Sequence, residues 1–142
     1  MSKKTKNTAS GSGPSLYEYG VDAEKIVDDA ADLISNLADN FEQLSYDDWK
    51  DAYRSMNQIM MPMVAFSAKL TQAIQELGDA AEEQYGLATS ELGELTQAMQ
   101  ELQGSFMTLA QHSGMAQQIE ADAEFQQELR DTTLAAVQEI NG

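Results

Sequence analysis

The sequence predicts an all-α protein, an elongated antiparallel helical bundle or coiled coil of three to four long amphipathic helices behind a disordered N-terminal arm. Three observations carry this expectation. Only two prolines occur in 142 residues, and the strong helix formers Ala, Gln, Leu, Glu and Met are abundant. Apolar residues recur at steps of three and four over long segments, the period of a helix with one buried face. Residues 59–66 are apolar without a break, with three methionines flanking Pro62, inside a stretch (52–75) that holds no acid.

Length and charge set the outer limits. The chain fits one domain. Residues 1–14 contain Lys3, Lys4 and Lys6, no acid and no large apolar residue after Met1, and read as a disordered basic arm. Gly11-Ser12-Gly13 follows no strand and lacks a third glycine at the spacing of a nucleotide loop. Residues 15–142 form the single helical domain and carry 24 acids against five bases. Such a body repels nucleic acid phosphates and anionic lipid, so no nucleic acid partner is expected. The N-terminus has no apolar leader, and no stretch approaches the ~20 apolar residues of a membrane span. The expected location is the cytoplasm, with the interior of a virion as the alternative.

Order is expected from Ser15, where Ser15 and Glu18 have capping-box spacing. Gly20 interrupts, and Asp22 caps a helix over 22–42 with the stripe Ala23, Ile26, Ala30, Leu33 and Leu37. Asn40 falls where the heptad expects an apolar residue, as a register device or a fraying end. Ser45 caps the next helix, with Asp47 and Asp48 in its first turn and the Leu44/Trp49 spacing of a hydrophobic staple.

From Trp49 the stripe runs Ala52, Met56, Ile59, Met63, Phe66, Leu70, Ala73, Leu77 and Ala80, a seven-residue repeat that predicts one helix over 46–85. Pro62 inside it cannot donate to the Gln58 carbonyl and is expected to kink that helix, or to break and restart it. A turn is predicted at residues 86–90, with Gly86 ending one helix and Thr89 or Ser90 capping the next. Helices over 90–112 and 115–140 follow, separated at Gly114; Leu92, Leu95, Met99, Leu102, Phe106 and Leu109 form the stripe of the first.

Residues 102–119 contain no Asp, Glu, Lys or Arg, a second charge-free window. A hairpin turning at 86–90 would lay it against the acid-free 52–75 over arms of about 35 Å. The residues expected to touch a hydrophobic surface or partner are Met56, Ile59, Met60, Met61, Met63, Val64, Phe66, Leu70, Phe106 and Met107, with Pro62 as the kink. A two-helix seam cannot cover the 59–66 run, because every face of the helix there is apolar.

Chemistry is not encoded in any recognisable constellation. His112 is the single histidine and sits at a predicted helix end, where an imidazolium complements the dipole. It has no second histidine or Glu-x-x-His partner to build a metal or base site. The acidic groups around Asp28, Asp47 and Glu82 lack the spacing of a calcium loop. No catalytic residue, cofactor site or metal site is predicted, and the protein is expected not to be an enzyme.

Long amphipathic helices rich in Ala, Gln, Leu and Met, without cysteine and with an apolar central helix, resemble phasins over roughly residues 26–103. That resemblance is one of composition and periodicity, and it implies a small, oligomeric helical protein that coats polyhydroxyalkanoate granules. Two other readings stand beside it. One is a structural or scaffolding subunit of a virion or other assembly, in which the same zone pairs helices. The other is an acidic chaperone or adaptor that holds a partner helix against its methionines.

Overall fold

Each helix of the structure begins where a side chain can take up the free N–H groups of a first turn, or where a left-handed residue has just reversed the chain. The structure, a computed structural model, describes residues 13–141. Among these are five α-helices and no strand: α1 (Ala23–Asp39), α2 (Tyr46–Leu77), α3 (Ala80–Ser113), α4 (Ala116–Ala121) and α5 (Ala123–Asn141). Short 3₁₀ turns, Tyr17–Tyr19 and Phe41–Gln43, precede α1 and α2. The basic arm predicted over 1–14 lies outside the described residues except for Gly13 and Pro14.

The predicted caps form. The Asp22 carboxylate accepts from the Lys25 N–H at 3.1 Å and opens α1. At α2, the Ser45 hydroxyl accepts from the Asp48 N–H at 3.1 Å while the Asp48 carboxylate accepts from the Ser45 N–H at 2.9 Å. Two orphan donors of the longest apolar segment are satisfied reciprocally. Ser45→Ala is expected to cost about 1 kcal/mol, read as a lower urea midpoint at unchanged slope. Ser15 and Glu18 exchange the same pair of bonds, but around a 3₁₀ turn instead of an α-helix. Asn40 is the C-cap of α1 and its side-chain amide donates to the Asn36 carbonyl, so it ends a helix and sets no register.

The seven-residue stripe of α2 is the core as predicted, from Trp49 to Ala73, with Ile59 half-buried. The helix passes through Pro62 without a break, so the alternative of stopping and restarting there does not hold. It ends earlier than predicted. Gly78, with φ of 58°, leaves the helix and α3 starts at Ala80, so residues 46–85 are not one helix and 90 is not the next start. The reversal at Gly78-Asp79 replaces the turn predicted at 86–90. Gly86 lies within α3, where the surrounding turns carry its backbone bonds. Likewise the last helix is not continuous over 115–140: Asp122 interrupts it and caps α5 by accepting from the Phe125 N–H at 3.1 Å.

Packing follows from these ends. The α2–α3 hairpin is central, with Tyr53 edge-on to Phe106 (5.1 Å between centroids) and Phe66 beside Tyr85. Helix α1 packs on both arms of the hairpin, and α5 packs chiefly on α2. Tyr46 reaches Asp122 and Arg54 reaches Glu128, so α5 runs parallel to α2, carried back by α3 and α4. Gly13 is pressed on the α3 backbone at Glu83 and Gln84, so closely that a β-carbon there would overlap the Gln84 carbonyl.

Candidate partner-contact region

Because the hairpin reverses at Gly78, each α2 residue meets a lower-numbered part of α3 than a turn at 86–90 would give. The side-chain amide of Gln103 lies 3.0 Å from the Met60 sulfur, and Phe66 meets Tyr85. Residues 59–66 therefore face the α3 segment that carries Glu91, Glu94 and Glu101. The two charge-poor windows therefore meet only over Tyr53–Met60 and Gln103–Met107 and do not form the continuous zone expected.

All ten residues predicted to touch a surface are at least half covered within the chain. Met56, Met63, Phe66, Leu70 and Phe106 are buried; Ile59, Met60, Met61, Val64 and Met107 are half-buried, as is Pro62. The sequence argument required a further apolar cover for the run, and the same chain supplies part of it. Two stripes on α2 explain how. The seam Trp49, Met56, Met63, Phe66 packs into the core with α1 and α3. A second stripe, Tyr46, Lys50, Tyr53 and Asn57, faces α5, and steps of three and four carry it on through Met61, Val64 and Ala68.

That second stripe changes character along its length. Its first half is held by polar and aromatic contacts. The Tyr46 hydroxyl donates to Asp122 at 3.2 Å, Lys50 lies 3.7 Å from the same carboxylate, and both Lys50 and Arg54 sit over the Phe125 ring. Arg54 pairs with Glu128 at 2.6 Å. The Phe125 N–H, with Tyr46 and Lys50, draws the Asp122 carboxyl below the usual carboxylate range, and the Arg54 guanidinium does the same for Glu128. Its second half is apolar on the α2 side. On the α5 side Phe125 is the one buried residue among those described; Leu129, Thr133, Ala136 and Val137 are half-buried and Leu134 is 56% exposed.

Between these halves lies a small cavity of about 180 Å³, bounded by Tyr53, Met56, Met60, Gln103, Met107 and Leu129. The Tyr53 hydroxyl points at the Met107 sulfur, 3.8 Å away, and burial pushes that phenol's pKa up. Flexible methionines and one glutamine thus fill an irregular junction of three helices.

A different apolar feature appears at the hairpin end, which sequence periodicity concealed. Ile74 and Leu77 are 54% and 43% exposed although both belong to apolar stripes of α2. An open groove of about 410 Å³ runs between the arms here, floored by Leu70, Ile74, Ala81 and Gly86 and edged by Asp79 and Glu82. The signal that could have located it is Gly78 itself, which as a helix end puts Ile74 and Leu77 at the tip of the hairpin.

His112 lies exposed in the last turn of α3, with Gly114 beyond it at φ 80°. Among the described residues no group of His, Asp and Glu is arranged to hold a metal ion, and no helix is long and apolar enough to cross a membrane. No family model matches this chain, and comparison with curated proteins and with solved structures likewise returns no match.

Proposed function

We propose that this protein is a non-catalytic helical coat or assembly protein, an elongated bundle that covers a hydrophobic surface by moving α5 off the second stripe of α2. Coating of polyhydroxyalkanoate granules in the cytoplasm, as phasins do, is the most specific form of this reading. The observation that supports it is the lopsided attachment of α5. The helix is fastened at Asp122, Phe125 and Glu128, whereas beyond Leu129 none of its residues with described side chains is buried, and Thr133, Ala136 and Val137 are only half-buried. Freed from α5, Met61, Val64 and Ala68 would form one apolar face continuous with half-buried Met60. The acidic outer faces would remain in water and keep coated particles apart.

Opening at this seam leaves the Trp49–Ala73 face with α1 and α3 in place, and its main cost is the exposure of Phe125 and of half-buried Leu129. The test is co-sedimentation with purified polyhydroxyalkanoate granules. Wild type is expected to partition to the granules. The double variant Met61→Glu, Val64→Glu is expected to keep its helical circular dichroism and lose at least ~90% of bound protein, since each charge would have to leave water. Binding of the double variant at wild-type levels overturns the coat reading. Met63 and Phe66 are poorer sites for this test, because both are buried and charges there would unfold the bundle.

The same opened face could pair with α2 of further copies, which is the assembly form of the proposal. Light scattering on granule-free protein separates the two: a defined oligomer lost in the double variant supports assembly, and a monomer that still binds granules supports the coat.

A further inference from the structure

We propose that the open end of the α2–α3 hairpin is a docking groove for a basic amphipathic helix of another protein. This site lies beyond the reach of α5 and does not depend on the coat reading. The Met61→Glu, Val64→Glu variant leaves it intact.

Shape comes first. Leu70 and Ile74 on α2 are one turn apart, as are Glu82 and Gly86 on α3, and all four line the same trough. Along α2 the lining runs on from Leu70 to Gly78, about two helical turns, with apolar residues on the floor and no side chain at Gly86 to fill it. An amphipathic helix inserting residues at i, i+4 and i+7 matches that length and direction. The 3₁₀ turn at Tyr17–Tyr19 does not occupy it, since Tyr19 packs on Phe66 and Tyr85 and bonds to the Gln84 carbonyl.

Charge then selects the occupant. Asp79 and Glu82 edge the trough and Glu76 lies in the last turn of α2, while the sequence has no Lys or Arg between Lys69 and Arg130. Among the described residues, Lys69 at the α2 end of this region is turned to the Tyr19 ring, 5.2 Å from its centroid. A second copy of this chain would bring its own acids against these, which opposes self-pairing. A bare hydrophobic surface would strip water from the rim carboxylates without giving them a partner. A helix with leucines on one face and lysines or arginines along its edges satisfies both the floor and the rim.

The probe is a dye-labelled peptide of about 18 residues with leucines on one face and lysines on the other, long enough to hold a helix when bound. Fluorescence anisotropy is read at two salt concentrations. The groove variants Ile74→Ser and Glu82→Lys are each expected to weaken binding at least ~10-fold. Leu134→Ser, which removes an equally exposed leucine elsewhere, is expected to leave it unchanged. A Leu/Glu peptide of the same pattern is expected not to bind, and added salt should weaken the Leu/Lys complex.

Four results would overturn the proposal. They are unchanged binding by Ile74→Ser, equal loss in Leu134→Ser, and equal affinity for a scrambled peptide of the same charge but no apolar face. The fourth is a dimer in sedimentation equilibrium that Ile74→Ser dissociates, which would assign the groove to a second copy.

Discussion

Trp49→Ala is expected to lower the stability of the protein by ~3–5 kcal/mol, the largest loss from any single truncation here. In a chain of this size that corresponds to a fall in melting temperature of roughly 10–20 °C. Trp49 is fully buried, and stands edge-on to both Phe41 and Phe106. It ties the α1–α2 connection to the centre of the hairpin, so removing it opens a void that three elements line. Urea unfolding followed by circular dichroism measures the effect. Trp49→Phe makes a sharper comparison. The indole N–H is the one buried side-chain polar atom among the described residues that has no hydrogen-bond partner. Burying such a group costs about 1–3 kcal/mol, which phenylalanine avoids while keeping most of the packing. The phenylalanine variant is therefore expected to retain well over half of what alanine loses. Equal loss in both would show that a phenyl ring recovers none of the indole's packing at this site.

Pro62→Ala is expected to act in the other direction. Proline in a helix interior costs ~3 kcal/mol relative to alanine, because it removes one ladder bond and crowds the preceding turn. Two terms oppose the gain. Proline also restricts the unfolded chain, worth about 0.4–1 kcal/mol, and its half-buried ring contributes packing that alanine does not. A net stabilisation of about 1–2 kcal/mol is expected, seen as a raised midpoint in thermal or urea unfolding. A destabilised variant would mean that the local geometry at Pro62 is what seats Ala65 and Phe66 in the core. The pair of outcomes also bears on opening: a stiffer α2 should present Met61 and Val64 on the same face more uniformly.

Much of the architecture was legible because its signals are local. Asp22, Ser45 and Gly114 mark helix ends through short-range bonds or backbone conformation, and each does what its spacing predicted. The core face of α2 was legible because a seven-residue repeat from Trp49 to Ala73 leaves one face apolar. The turn was not. The apolar spacing continues through Leu77 to Ala80 with no interruption at Gly78, so periodicity suggested a helix where the chain in fact reverses. Two glycines, Gly78 and Gly86, carry the same intrinsic cost in a helix, and only the packing of the arms decides which one ends it. Asp122 was missed for a related reason. A capping aspartate within an alanine- and glutamine-rich segment reads as one more surface charge until Tyr46, Lys50 and the Phe125 N–H are brought to it.

The contact residues show the limit most clearly. That residues 59–66 need more cover than one seam is a statement about area, and within the chain they are buried or half-buried. Which segment provides the cover depends on α5 running parallel to α2, a consequence of the α3–α4 return that no local pattern encodes. The groove at the hairpin end depended on the same displaced turn, since Ile74 and Leu77 look like core until Gly78 takes the chain away from them.

The direction of α5 also gives the molecule two unlike poles. Gly13 rests beside Gln84, and α5 travels from Tyr46 past Asn57 toward that same end. Both ends of the described chain therefore head for the pole that holds the groove. The opposite pole consists of tight connections at Asn40–Ser45 and Ser113–Met115. A fluorophore, affinity tag or immobilising anchor attached at Gly13 or Asn141 would emerge at the groove's pole, and one placed at Gln43 would not. Immobilised through Gln43, the protein would present its docking pole outward; held at Asn141, it would turn that pole to the support.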